Sequence, residues 1–181
     1  MKTFFLFTCM FMCGTLGCFC QTQSLSVQIP DVAMIALNTG GQTLTLNFNL
    51  PGTAGEPIGD PTQNVLAYLR YSTISKASNP GMLRVIRVQA TRGNPTAFSM
   101  KVKVDNVRPV ASLGNLGTVS ANGVTVRSNT ALALVSSIGS GYTGSDGRQL
   151  TISAEAPDAG YQNLRAGDNI FDFTYTLENQ L

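Results

Sequence analysis

Surface chemistry needs particular side chains, and this chain lacks the commonest of them. It has no His, which removes the usual general base and the commonest metal ligand. Ser–His and Cys–His nucleophilic centres are excluded with it, as are zinc sites built on imidazole. Carboxylates remain. Glu155 with Asp172, or Glu56 with Asp60, are the acid types that cleave glycosides when held about 5–9 Å apart. Their sequence positions do not bring either pair together, and the 10 Asp and Glu residues are scattered along the chain. Asp60, Asp105 beside Asn106, and Asp146 in Ser145-Asp146-Gly147 offer oxygens to calcium, but no run of alternate acids wraps an ion. Such residues serve turns, where their side chains bond local backbone. The expectation is a chain that is not an enzyme, with no catalytic residue, no metal site and no cofactor.

Stacking and charge are the other routes to a ligand. Tyr68, Tyr71, Tyr142 and Tyr161 have rings that can stack on sugars. Tyr68 and Tyr71 are an odd number of residues apart on one predicted strand, so they face opposite sides and one belongs to the core. Tyr142, in Gly139-Ser140-Gly141-Tyr142-Thr143-Gly144, and Tyr161 are the ligand-binding candidates. Arg84 and Arg87 with Lys101 and Lys103 are the possible basic patch. Lys101 and Lys103 share one strand face and read as the charged outside of an edge strand. A net charge of +2 makes no electrostatic case for nucleic acid or anionic membranes.

These residues sit in a chain of 181 residues, room for one domain. Its start is a leader in layout. Lys2 precedes an apolar run from Phe4 to Met12, followed by small residues at Gly14, Gly17, Cys18 and Cys20. Residues 1–20 are therefore read as a signal peptide and 21–181 as the folded domain. The run from Phe4 to Leu16 is short of the ~20 residues a spanning helix needs, and no comparable run follows. Cleavage after Cys20 leaves Gln21 first. Processing at Cys18, within Thr15-Leu16-Gly17-Cys18, is the alternative and would leave a lipid anchor. All 4 cysteines (Cys9, Cys13, Cys18, Cys20) fall in the leader, so the rest of the chain has neither disulfide nor thiolate site. The expected location is secreted, periplasmic or cell-surface, in a bacterial envelope, with no integral span after processing.

Beyond the leader, apolar and polar residues alternate. Leu25, Val27 and Ile29 do so, then Leu44, Leu46, Phe48 and Leu50. Phe98, Met100, Val102 and Val104 repeat the pattern, as do Phe171, Phe173, Tyr175 and Leu177. One buried face and one wet face is the mark of antiparallel sheet. Val65–Ile74 and Met82–Ala90 are denser in apolar residues and read as central strands. Asn122-Gly123 between two apolar stretches predicts a two-residue hairpin. Asp146-Gly147 predicts a turn into Gln149–Ala154, and Asp158–Leu164 a short turn of helix. About nine short strands imply an all-β chain, a single immunoglobulin-like antiparallel β-sandwich. Residues 51–63, rich in Pro and Gly, form its longest loop.

The terminal strands are the most informative feature for function. A strand at either end can pair within its own sandwich or be lent to a neighbour's open edge. Repeated head to tail, such lending builds a filament. The leader before Gln21, the Leu25/Val27/Ile29 strand, Tyr68-Leu69-Arg70-Tyr71-Ser72, Gly141-Tyr142-Thr143-Gly144 and the closing Phe173-Thr174-Tyr175-Thr176-Leu177 together resemble secreted pilin-type β-sandwich proteins. These are the chaperone–usher fimbrial subunits and the uncharacterised secreted proteins similar to them. That resemblance implies an immunoglobulin-like fold, export, and assembly by strand exchange without catalysis. The expected function is a structural or adhesive surface protein with protein partners, itself among them. Leu25, Val27 and Ile29 would be the lending anchors, and Phe171, Phe173 and Tyr175 the receiving or closing strand. The alternative is a monomeric extracellular or periplasmic binding module for a glycan or protein, using Tyr142 and Tyr161.

Overall fold

Val65–Ile74, read from the sequence as a central strand, becomes the strand that most of the larger sheet is built around. A computed structural model describes residues 26–39, 45–61, 65–75, 79, 81–92, 98–156, 158–164, 166–167 and 170–180. The leader, all the cysteines and Leu25 lie outside the described residues. In chain order the strands are β1 (Val32–Asn38), β2 (Val65–Ile74), β3 (Arg84–Arg92), β4 (Ser99–Val104), β5 (Leu113–Gly114), β6 (Thr118–Val119), β7 (Val124–Thr125), β8 (Leu132–Ile138), β9 (Gly141–Tyr142), β10 (Arg148–Glu155) and β11 (Asp172–Asn179). A 3-10 turn spans Asp158–Asn163. No described helix is long and apolar enough to cross a membrane.

The strands form two antiparallel sheets. The larger runs β1-β2-β10-β4-β7, with β9 and then β5 beside the far end of β2. The smaller runs β11-β3-β8-β6. Alternation decides which side chains meet between them. Leu69, Val102, Val104 and Leu150 from the larger sheet share one buried cluster with Ile86, Val88, Val135 and Ile138 from the smaller. The chain is thus all-β, two sheets closed on one core. On β2, Tyr71 points into that core and Tyr68 to solvent, as their odd spacing requires.

Three sequence expectations need correction. Val27 and Ile29 do not lie in a strand: Ser26–Pro30 is unpaired, and the first described strand begins at Val32. Pro30 has no N–H to give a ladder and restricts the residue before it, so pairing starts only beyond it. Asn122-Gly123 makes the expected tight turn, with Gly123 at φ 70 and its N–H bonded to Ser120 O at 3.0 Å. It does not close a hairpin, because β6 pairs with β8 in one sheet and β7 with β4 in the other. It is a corner between sheets. Finally, the alternation from Leu46 to Phe48 is half-buried without a ladder. Both residues pack on the core, Phe48 with its ring 5.0 Å from that of Phe98, while only Asn49 makes an isolated bridge, to Gly59.

Candidate functional site

Two strands meet at one side of the sandwich, and they are the first and the last. β1 is the edge of the larger sheet and β11 the edge of the smaller, and the two lie against each other with no ladder between them. The entry to β1 is pinned by charge. Arg84 on β3 donates from Nη2 to Oδ1 of Asp31 at 2.6 Å, and the Arg84 side chain is almost wholly buried. This ion pair ties the start of one sheet's edge strand to the other sheet. The described residues before Asp31, Ser26–Pro30, are outside the core: Val27 is 74% and Ile29 70% exposed.

β1 itself, Val-Ala-Met-Ile-Ala-Leu-Asn, has no charge, Gly or Pro. It pairs with β2 without a break from Val32↔Ile74 to Asn38↔Tyr68. Ile35 lies opposite buried Tyr71, so Ala33, Ile35 and Leu37 face the second sheet while Val32, Met34, Ala36 and Asn38 face outward. Yet Ala33 is exposed and Leu37 is 39% exposed. The inward row of this strand is covered on one side only, as expected where the sheet stops.

β11 follows the alternation read from the sequence. Phe173, Tyr175 and Leu177 turn inward and are half-buried, the polar residues between them outward. Phe171, just before the strand, is half-buried and stacks edge-on to Phe98. The strand's far end is clamped. Gln180 donates its N–H to Leu83 O at 2.8 Å and accepts at its side-chain oxygen from the Ser137 N–H at 2.6 Å. Ser137 has φ 57, a left-handed conformation that interrupts the regular course of β8 there. The Tyr175 hydroxyl is buried and has no hydrogen-bond partner among the described residues, and that burial holds its ionisation well above the ordinary tyrosine range.

The tyrosine candidates are separate. Tyr142 on β9 is 45% exposed on the outer face of the larger sheet, beside Ser72 and Leu113. With Val32 and Ile74 it lines a shallow depression of about 250 Å³. Tyr161 is on the 3-10 turn, and its hydroxyl accepts from the Ile58 N–H at 3.3 Å, holding the long loop. No described hydrogen bond or ring contact joins the two tyrosines. The basic residues are separate as well. Arg84 pairs with Asp31 and Arg87 with Glu178 on the smaller sheet, whereas Lys101 and Lys103 stand on β4 of the larger. β4 lies between β10 and β7, so Lys101 is not on a free edge. Two of the acids hold backbone: the Asp60 carboxylate accepts from the sequence-distant Ala156 N–H at 3.2 Å, and that of Asp105 from the nearby Val107 N–H at 3.0 Å.

Sequence reasoning missed β1 and Arg148. The signal for β1 was an uncharged seven-residue run directly after a Pro-Asp step, apolar on both faces and therefore without alternation. Arg148 had no signal. It is buried at the head of β10, with Nε and Nη1 unpartnered among the described residues, and its positive charge acts on Tyr71. Compared with protein-family models, curated proteins and solved structures, the chain matches none.

Proposed function

We propose that this chain is an exported, non-catalytic structural or adhesive surface protein, acting through protein–protein contact at its terminal strands. The observation that carries this reading is the placement of Val27 and Ile29. Their alternation is that of a strand with one buried face, yet the protein's own fold leaves both outside. A segment of this kind suits an open sheet edge on a neighbour, where main-chain bonds supply affinity and alternate side chains supply register. The half-buried inner row Phe173, Tyr175 and Leu177 of β11 is the edge that would receive it, and Phe171 extends that row. Repetition of such a contact is open-ended and builds a fibre.

The test is the size distribution of the purified protein by light scattering, with and without excess synthetic peptide spanning residues 21–31. Assemblies that the peptide caps, and that vanish in the Val27→Asp/Ile29→Asp variant, are expected. Assembly unchanged in that variant would overturn strand lending. The second reading, a monomeric binding module for a glycan or protein, is favoured by exposed Tyr142 over its apolar depression. It predicts glycan-array hits that Tyr142→Ala abolishes.

A further inference from the structure

We infer that the free edge of β1 is a pairing surface for the β1 of a second copy, in antiparallel register centred on Ile35. This contact is closed and twofold, and it stands whether or not Val27 and Ile29 are lent to a neighbour.

The argument begins with what β1 lacks. Sheet edges in soluble proteins are normally blunted by charge, Pro, bulges or shortness, because bare edges pair with other chains. β5, β6, β7 and β9 are two residues long. β11 carries Asp172 and Glu178 and a register shift beside Asp172. β1 has none of these devices over its seven residues, and its register with β2 is unbroken. Among the described residues it pairs only with β2. Alternate N–H and C=O groups on its other side therefore point away from the sheet.

The occupant follows from the sequence of the strand. Turned antiparallel on itself about Ile35, β1 sets Ile35 opposite Ile35 of the second copy, Ala33 opposite Leu37, Met34 opposite Ala36 and Val32 opposite Asn38. Inward residues meet inward residues and outward meet outward, so the core rows of the two sandwiches become continuous. No charge faces a like charge, since the strand has none. The pairing covers the two inward residues that the isolated fold leaves bare, Ala33 and Leu37, and brings Met34, 66% exposed, against Ala36. The surface is the same on both partners, so the assembly closes at two.

The test separates this contact from strand lending by working in the Val27→Asp/Ile29→Asp background. There, light scattering after size exclusion should give twice the chain mass at tens of micromolar. Adding Met34→Lys/Ala36→Lys places like charges opposite each other twice across the twofold and should halve the mass. Met34→Glu/Ala36→Glu should do the same, and an equal mixture of the two variants should recover the doubled mass. Both positions are exposed on the outer face, so melting curves taken at concentrations low enough to keep the parent monomeric should match. Independently of these variants, the β1 amides that point away from β2 should exchange more slowly as concentration rises. A monomeric background protein overturns the inference and leaves the edge to a strand of another protein. Doubled mass in the Lys variant, or no recovery on mixing, overturns it as well. Loss of the dimer through Val27→Asp/Ile29→Asp alone would assign the contact to the N-terminal segment instead.

Discussion

Two core tyrosines provide a test in which the same substitution should act in opposite directions. Tyr71 donates from its hydroxyl to Leu116 O at 2.7 Å in the buried interior. Tyr175 buries its hydroxyl with nothing to bond among the described residues. Removing the Tyr71 hydroxyl loses a buried hydrogen bond and leaves the Leu116 carbonyl without it. The bond contributes about 1 kcal/mol net and an unsatisfied buried acceptor costs about 1–3 kcal/mol. Tyr71→Phe should therefore lose about 1.5–2.5 kcal/mol. Removing the Tyr175 hydroxyl deletes a polar group that folding strips of water without compensation, a cost of about 1–3 kcal/mol on mutational scales. The ring is only half-buried, so a gain of about 0.5–1.5 kcal/mol is expected for Tyr175→Phe. The assay is urea unfolding at neutral pH with m unchanged, so that the midpoint alone reports stability. For a chain of this size, 1 kcal/mol moves the melting temperature by about 2–4 °C. A loss in Tyr175→Phe, of the same sign as in Tyr71→Phe, would refute the reasoning, because it would mean that the hydroxyl has a partner worth keeping.

The same residues predict alkaline sensitivity. Burial pushes the Tyr71 hydroxyl up to about 12, with Arg148 pulling part of the way back, and burial pushes Tyr175 higher still. An unfolded tyrosine ionises near pH 10. Stability is therefore complete below about pH 10 and falls as pH rises towards the folded value, by about 2–3 kcal/mol for Tyr71. Equilibrium unfolding from pH 9 to 12 should show a slope with contributions from both tyrosines, and Tyr71→Phe should reduce it to the part due to Tyr175. Gly117 has φ +73, and a Cβ there would lie 2.3 Å from Ser136 O. Gly117→Ala should cost about 2 kcal/mol or more by thermal melting, whereas Gly81→Ala, which meets nothing and needs no positive φ, should be near neutral. Asp31→Ala leaves the buried Arg84 guanidinium unpaired and should cost about 1–3 kcal/mol, while Glu178→Ala at the exposed Arg87 pair should cost under about 1 kcal/mol.

What the sequence could say followed from where burial is one-sided. β4, β10 and β11 each show the core to one face and water to the other, and their apolar residues alternate as required. β2 was recognisable by its density of apolar residues, and it is paired along both sides. The failures have a common physical origin. Alternation reports burial of a face, not hydrogen bonding, so Leu46 and Phe48 look like a strand while packing on the core without a ladder. Turn chemistry is local and partner choice is not. Gly123 takes its positive φ as Asn-Gly predicts, but whether β6 and β7 pair with each other depends on sheets assembled from distant residues.

The terminal strands carry the functional argument because sequence and fold disagree there. The segment with alternation, around Val27 and Ile29, is outside the fold, and the segment without it, β1, is the edge strand. Pro30 and Asp31 explain the boundary between them: one ends pairing, the other fastens the chain to Arg84. A strand buried on one face would have needed polar residues at Met34 and Ala36 to be soluble as an edge. β1 keeps apolar residues at both, and elsewhere the molecule limits its edges by shortness or charge. Among the described residues this edge is bare beside edges that are protected, and the inferred partner strand would cover it. The two variants Val27→Asp/Ile29→Asp and Met34→Lys/Ala36→Lys divide the cases: loss of assembly in the first alone gives strand lending, in the second alone edge pairing, and in both a subunit that uses each contact in turn.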